Sequence, residues 1–199
     1  MNHLLILLHH NFMTASKKML LILALCSIVI TSYSKNIKLN QQQYLLNEQP
    51  NKLYTYQEYV VSYGYLAVQT MKEFKIPASV ILAQAMLETS FGNSSLSQKS
   101  NNHFGIKCGD DWQGQRVQHS DDEHQECFRA YPSVKDSFWD YGQFITSRPW
   151  YLHLFKINTN NYRRWAVGLH EAGYATDPQY SQKIIDLIER YQLYQLDEM

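Results

Sequence analysis

Glu88 is the only charged side chain between Pro77 and Phe91, in the run Ile76-Pro-Ala-Ser-Val-Ile-Leu-Ala-Gln-Ala-Met-Leu-Glu-Thr-Ser-Phe-Gly92. Helical spacing stacks it over Gln84, Ala85, Ile81 and Val80. An ionised carboxylate in such company is expensive, so it either holds its proton or meets a partner. Its place near the end of the helix adds to this, because the negative end of the helix dipole disfavours a carboxylate. A carboxylic acid that keeps its proton near neutral pH is able to protonate a leaving glycosidic oxygen. The competing reading is a glutamate that pairs with an arginine or caps a backbone group.

Such chemistry usually employs a second carboxylate as base or nucleophile. Asp121-Asp122-Glu123 supplies candidates, against the plain alternative of a solvated turn. Tyr174, beside Gly173 in a loop, could reach into a cleft and hold a water or orient a carbonyl; otherwise it is a rim aromatic. Phe104, Trp112, Trp150 and Tyr151 are the aromatics that could stack on sugar rings, while Trp139 and Trp165 fall at apolar helical spacing and are assigned to the core. His103 reads as structural. The chain has no CxxC or HExxH spacing, so neither a metal nor a cofactor is expected.

The elements that must position these residues follow from pattern. Tyr59, Tyr63, Leu66, Val68 and Met71 give residues 56–75 a helical apolar face. Pro77 suits the first turn of the next helix and Gly92 its C-terminal cap. Residues 93–102 read as a polar loop. Phe104–Cys108, Trp112–Gln115 and Glu126–Tyr131 read as short segments of an antiparallel β-lobe whose cysteines join two of them. Ser133 opens a helix with a capping-box start that uses Asp136, and Pro149 ends it. Further helices are expected from about Asn161 to Ala172, stopped by Gly173, and after Asp177-Pro178, with Tyr180, Ile184, Leu187, Ile188 and Tyr191 on one face. The fold class is α+β and mainly helical, with a small antiparallel β-lobe inserted between helices and Glu88 next to the junction, where clefts form.

Composition narrows the partners. Lysine and arginine together number 18, as do aspartate and glutamate. Lys17 and Lys18 fall in a leader without acids, which leaves 16 basic against 18 acidic side chains. Scattered basic residues in that balance give no reason to expect nucleic acid. The leader itself, Lys17-Lys18 followed by the apolar run Met19 to Ile30 and Ser32-Tyr-Ser34, reads as a signal peptide over residues 1–34, too short for a comfortable membrane span. Met13 is the alternative start, and Cys26 the alternative lipoprotein site, disfavoured by the bulk of Leu25. Residues 35–55 are Gln/Asn-rich and read as a linker to a domain at 56–196. An exported protein destined for the periplasm, envelope or exterior, with Cys108 and Cys127 left as an even pair, implies one disulfide; free thiols are the alternative.

The run containing Glu88 resembles the core motif of the bacterial peptidoglycan N-acetylglucosaminidases, the glucosaminidase-domain autolysins that include the muramidase domain of the flagellar rod-capping protein. Asn101-Asn-His-Phe-Gly-Ile-Lys107, Trp112-Gln-Gly114, Phe128-Arg-Ala-Tyr131 and Ala172-Gly-Tyr-Ala-Thr-Asp-Pro-Gln-Tyr180 match further blocks in the same order. The resemblance runs from about Tyr56 to Leu196. It implies a lysozyme-like fold around a glycan groove and an endo-acting enzyme that cleaves the β-1,4 bond after N-acetylglucosamine in peptidoglycan. It also implies Glu88 as general acid, Glu123 (or Asp122) as second carboxylate and Tyr174 as the active-site tyrosine. Phe104, Trp150, Tyr151 and Asn102 are the expected substrate contacts. Ser90-Phe91 replace the Gly-Trp of many relatives, and the cysteine pair is not general among them. A lytic transglycosylase of the same fold and a silent glycan-binding or adhesin module are the two alternatives.

Overall fold

The computed structural model describes residues 54–110, 112–121 and 124–199. The expected signal peptide, nearly all of the linker, Asp122 and Glu123 lie outside them. Helix α1 (Tyr56–Phe74) starts at Thr55, whose side chain and Glu58 form a reciprocal capping box, and stops at Lys75 in the left-handed region. Helix α2 (Ala78–Thr89) follows after three residues. Every side chain from Ala78 to Met86 is buried, so α2 is the central helix of the domain rather than an amphipathic surface one. Its N-terminus follows Pro77, which offers no side-chain cap. The cap comes instead from the far end of the chain: Ser79 donates its backbone N–H (2.8 Å) and its hydroxyl (2.6 Å) to the two carboxylate oxygens of Asp197.

The stretch expected to be a loop contains a short helix, α3 (Ser95–Ser100), capped by the Ser94 hydroxyl. Serine is a mediocre helix former but a good cap, which is why composition alone hides this turn. The β-lobe is a two-stranded antiparallel hairpin, β1 (Arg116–Asp121) and β2 (His124–Arg129), paired from Arg116–Arg129 to Asp121–His124. The first strand lies one step later than the alternating run at Trp112. Trp112 instead donates its indole N–H to the Gln115 carbonyl (2.8 Å) and lies under the Arg129 guanidinium. The 106–108 segment runs along the free edge of β2, with a bridge between Lys107 and Phe128 and the Cys108–Cys127 disulfide. Arg129 then fastens the lobe to the helices by an ion pair with Asp140 (3.0 Å), to which Tyr131 also donates (2.6 Å).

Helix α4 (Val134–Ser147) has the expected Ser133–Asp136 capping box. After Pro149 the chain forms a 3₁₀ segment, Pro149–Lys156, then α5 (Tyr162–Glu171), α6 (Tyr180–Arg190) and a terminal 3₁₀ turn, Leu193–Glu198. Trp165 is fully buried, as its spacing implies, whereas Trp139 is 46% exposed and lays its ring against Phe74. The buried face of α4 is Phe138, Tyr141, Gly142 and Ile145, and position 139 is rotated off it. No described helix is long and apolar enough to cross a membrane.

Beneath the junction of helices and hairpin, His103 is buried among Tyr59, Tyr63 and Phe138, and its Nδ1 shares a 2.6 Å hydrogen bond with the Tyr59 hydroxyl. Burial pushes its pKa down to about 3. The folded protein therefore keeps this ring neutral where the unfolded chain would already bind a proton. Stability is complete above the ordinary histidine pKa of about 6.5 and declines as pH falls toward 3, by an amount on the order of 5 kcal/mol at most. Denaturant titrations between pH 7 and pH 4 should show this decline, and H103Q should flatten it; an unchanged slope in H103Q would remove His103 as its source.

Candidate active site

Glu88 sits in the last turn of α2, and its side chain is exposed. This corrects the expectation of a buried carboxylate. The helix is buried up to Met86, and at Leu87 and Glu88 it emerges into a groove of about 1070 Å³ between the helices and the hairpin. The chain reverses immediately afterwards through three consecutive left-handed residues, Ser90, Phe91 and Gly92. Ser90 is the helix cap; the position that needs glycine is Gly92, where a Cβ would stand 3.0 Å from the Tyr59 ring.

Across from the carboxylate lies the backbone of the junction loop. Gly105 has φ of +60°, and a Cβ there would lie 3.8 Å from Glu88 Oε2. Tyr174, from the loop between α5 and α6, donates its hydroxyl to the Phe104 carbonyl (3.2 Å) and so bridges the groove floor beside Glu88. Phe104 contributes its backbone to this floor; its ring is buried and stacked on Tyr141, so sugar stacking by that ring is not what the geometry offers. Asn102 also departs from its expected place. It is 1% exposed, and its amide donates to the carbonyls of Ile106 and Arg129 while its oxygen accepts from the N–H groups of Phe104 and Ile106. It holds the junction loop in shape from inside. Trp150 and Tyr151 do line the groove, with Trp150 54% exposed and Tyr151 buried. Glu123 and Asp122 lie outside the described residues, between the ends of β1 and β2.

Three further side chains enter the site, although spacing assigns two of them merely to apolar helix faces. Gln84, one turn before Glu88 on α2, is fully buried; its carbonyl accepts from the Tyr141 hydroxyl and its amide donates to the Tyr180 oxygen at 2.8 Å. With that oxygen occupied, the Tyr180 proton is directed elsewhere, and Glu88 is the carboxylate that acts on this hydroxyl. Burial, reinforced by the Glu88 charge, raises the Tyr180 hydroxyl well above the ordinary phenol range. Burial, then Tyr180 and Glu88, do the same for Tyr174; burial, then Tyr151 and Glu88, do so for Tyr141. All three remain neutral phenols in the surroundings of the carboxylate, with the Tyr141 and Tyr174 protons given to Gln84 and the Phe104 carbonyl. No group of His, Cys, Asp and Glu among the described residues could hold a metal ion.

An accessible carboxylate on a groove wall, ringed by neutral phenols and flanked by an exposed tryptophan, suits acid chemistry on a saccharide. A glucosaminidase family model, described as mannosyl-glycoprotein endo-beta-N-acetylglucosaminidase, matches residues 64–193, well over half of the chain. The chain belongs to the glucosaminidase family. The chain is 31% identical over 183 residues to the exo-glucosaminidase LytG of Bacillus subtilis, a match covering 86% of the chain and 62% of LytG. It is 36% identical over 121 residues to the peptidoglycan hydrolase FlgJ of Vibrio cholerae, covering 55% of the chain and 36% of FlgJ. The chain thus spans less than two thirds of the length of both relatives. Among solved structures, a peptidoglycan hydrolase from Sphingomonas sp. A1 superposes with a TM-score of 0.63 at 33% identity, over 70% of this chain and 92% of that one. The glycoside hydrolase domain of Salmonella typhimurium FlgJ gives 0.59 at 27% identity, over 70% and 89%. The mainly helical fold with a small antiparallel hairpin is that of these peptidoglycan hydrolases.

Proposed function

We propose that this member of the glucosaminidase family is an exported glycoside hydrolase that cleaves the β-1,4 bond after N-acetylglucosamine within peptidoglycan strands, with Glu88 as general acid. The observation that carries the reading is the position of Glu88: it is the carboxylate that a buried helix delivers into the open groove, opposite the Phe104–Gly105 backbone and beside Tyr174. Peptidoglycan is favoured as substrate because the relatives with matching folds are named peptidoglycan hydrolases. The leader at residues 1–34 and the Cys108–Cys127 disulfide support export, since such bonds persist in oxidising compartments.

In this mechanism Glu88 protonates the glycosidic oxygen as the bond breaks through an oxocarbenium-like transition state. The anomeric carbon is then taken either by water activated by Glu123 or by the substrate's own acetamido group. In this reading Tyr174 orients that acetamide, exchanging its bond to the Phe104 carbonyl for one to substrate. Mass spectrometry of muropeptides released from purified sacculi tests the bond assigned. Reducing N-acetylglucosamine ends are expected, on fragments of mixed length. Reducing muramic acid or anhydro-muramic ends would overturn the specificity, and release of single sugars only would make the enzyme exo-acting.

A further inference from the structure

A groove for neutral N-acetylglucosamine has no need of a guanidinium, yet this one contains Arg148. The groove's other long cations are neutralised by local carboxylates: Lys107 pairs with Glu126 at 2.5 Å and Lys183 with Asp177 at 2.6 Å. Among the described residues Arg148 pairs with no carboxylate. Its guanidinium lies 3.7 Å over the Phe144 ring, and one of its nitrogens approaches the Phe144 carbonyl (3.4 Å) and the Ser147 hydroxyl (3.5 Å). One face and one edge are thus fixed by neutral groups. The planar fork is held in place without its charge being met, which is the preorganised state of an arginine that receives a carboxylate. The next residues, Pro149 and Trp150, carry the chain along the same wall, where Trp150 tilts its ring toward Tyr151 and leaves it 54% exposed.

We infer that Arg148 forms a carboxylate-binding subsite of the groove, which holds an acidic substituent of the glycan while the Trp150 ring contacts the sugar that bears it. The inference rests on the peptidoglycan reading above, and within that polymer two sources offer this chemistry. One is the stem peptide, through its free carboxylates. The other is the lactyl group of muramic acid, wherever the peptide has been removed. Arg148 therefore determines which stretches of wall are engaged rather than how the bond is cut.

The test is co-sedimentation of wild type, R148Q and R148K with insoluble sacculi, in native form and after carboxyl groups have been converted to neutral amides. Wild type should bind native sacculi about tenfold more tightly than amidated ones, the low end of the effect expected for one charge-assisted pair. R148Q should lose that preference and bind both forms alike, at the level of wild type on amidated wall. R148K, which keeps the charge but not the fork, should fall between. Sacculi stripped of peptide by an amidase separate the sources: a preference that survives stripping assigns the lactyl carboxylate, and one that vanishes assigns the peptide. An R148Q variant that keeps the preference, or a wild type that never shows it, overturns the subsite. Because binding is read without turnover, failure of bond cleavage in the presence of an intact preference would overturn the proposed reaction alone.

Discussion

Replacing Glu88 with glutamine is expected to lower the rate of peptidoglycan hydrolysis by about two to four powers of ten while leaving the fold intact. The magnitude follows from general-acid assistance: an amide cannot donate a proton to the leaving oxygen, but the groove, Tyr174 and the junction loop still bind and orient the glycan. The lack of structural cost follows from exposure. Glu88 lies where α2 emerges from the core, so an isosteric amide there neither creates a cavity nor strands a buried charge, and changes of this kind fall within about 0.5 kcal/mol. Dye release from labelled sacculi measures the rate, and thermal melting followed by circular dichroism measures the fold. A variant with wild-type melting and wild-type rate would remove Glu88 from the mechanism. The companion substitution E123Q reports on the second carboxylate: a small loss favours attack by the acetamido group.

Much of this site was legible from residue order because the features that deliver Glu88 are local. The uninterrupted apolar run before it implies a buried helix, and the polar Ser-Asn-rich stretch after it implies that the helix ends there; both follow from composition and spacing. What spacing could not supply was the solvent exposure at that end. A helix can be buried for nine residues and open at the eleventh, and only the chain reversal through Ser90 and Phe91 decides it. Asn102 and Phe104 show the same limit: their types suit sugar contact, but the sharp turn at Gly105 sends both side chains inward and presents the backbone instead. The Asp197 cap and the Gln84–Tyr180 contact join residues about a hundred positions apart, and a helical period holds no information about such pairs. Gln84 did carry a signal, as the polar residue one turn beneath Glu88 on the same helix face.

That signal leads to the second large expected effect, in the Gln84→Leu variant. Leucine fills a similar volume but leaves the hydroxyls of Tyr141 and Tyr180 without the partner they share, at a cost of about 1–3 kcal/mol for each one left unpaired in the interior. Thermal or denaturant unfolding should register that loss. Destabilisation alone would not distinguish a buried structural glutamine from one that serves the acid. The distinguishing readout is the pH dependence of kcat/KM. In the wild type the Gln84 amide occupies the Tyr180 oxygen, which leaves the Tyr180 proton available to the Glu88 carboxylate beside it, and a hydrogen bond donated to a carboxylate favours its charged form. Releasing Tyr180 from Gln84 weakens that donation and lets the acid keep its proton to higher pH, so the alkaline limb of the profile should move upward. Tyr180→Phe, which removes the donor outright, should move the same limb in the same direction, and the double variant should move it no further than Tyr180→Phe does. An alkaline limb that stays in place in a destabilised Gln84→Leu protein would reduce Gln84 to packing. Independent, additive displacements would mean that the two side chains act on Glu88 by separate routes rather than through the single line from Gln84 through the Tyr180 hydroxyl to the carboxylate.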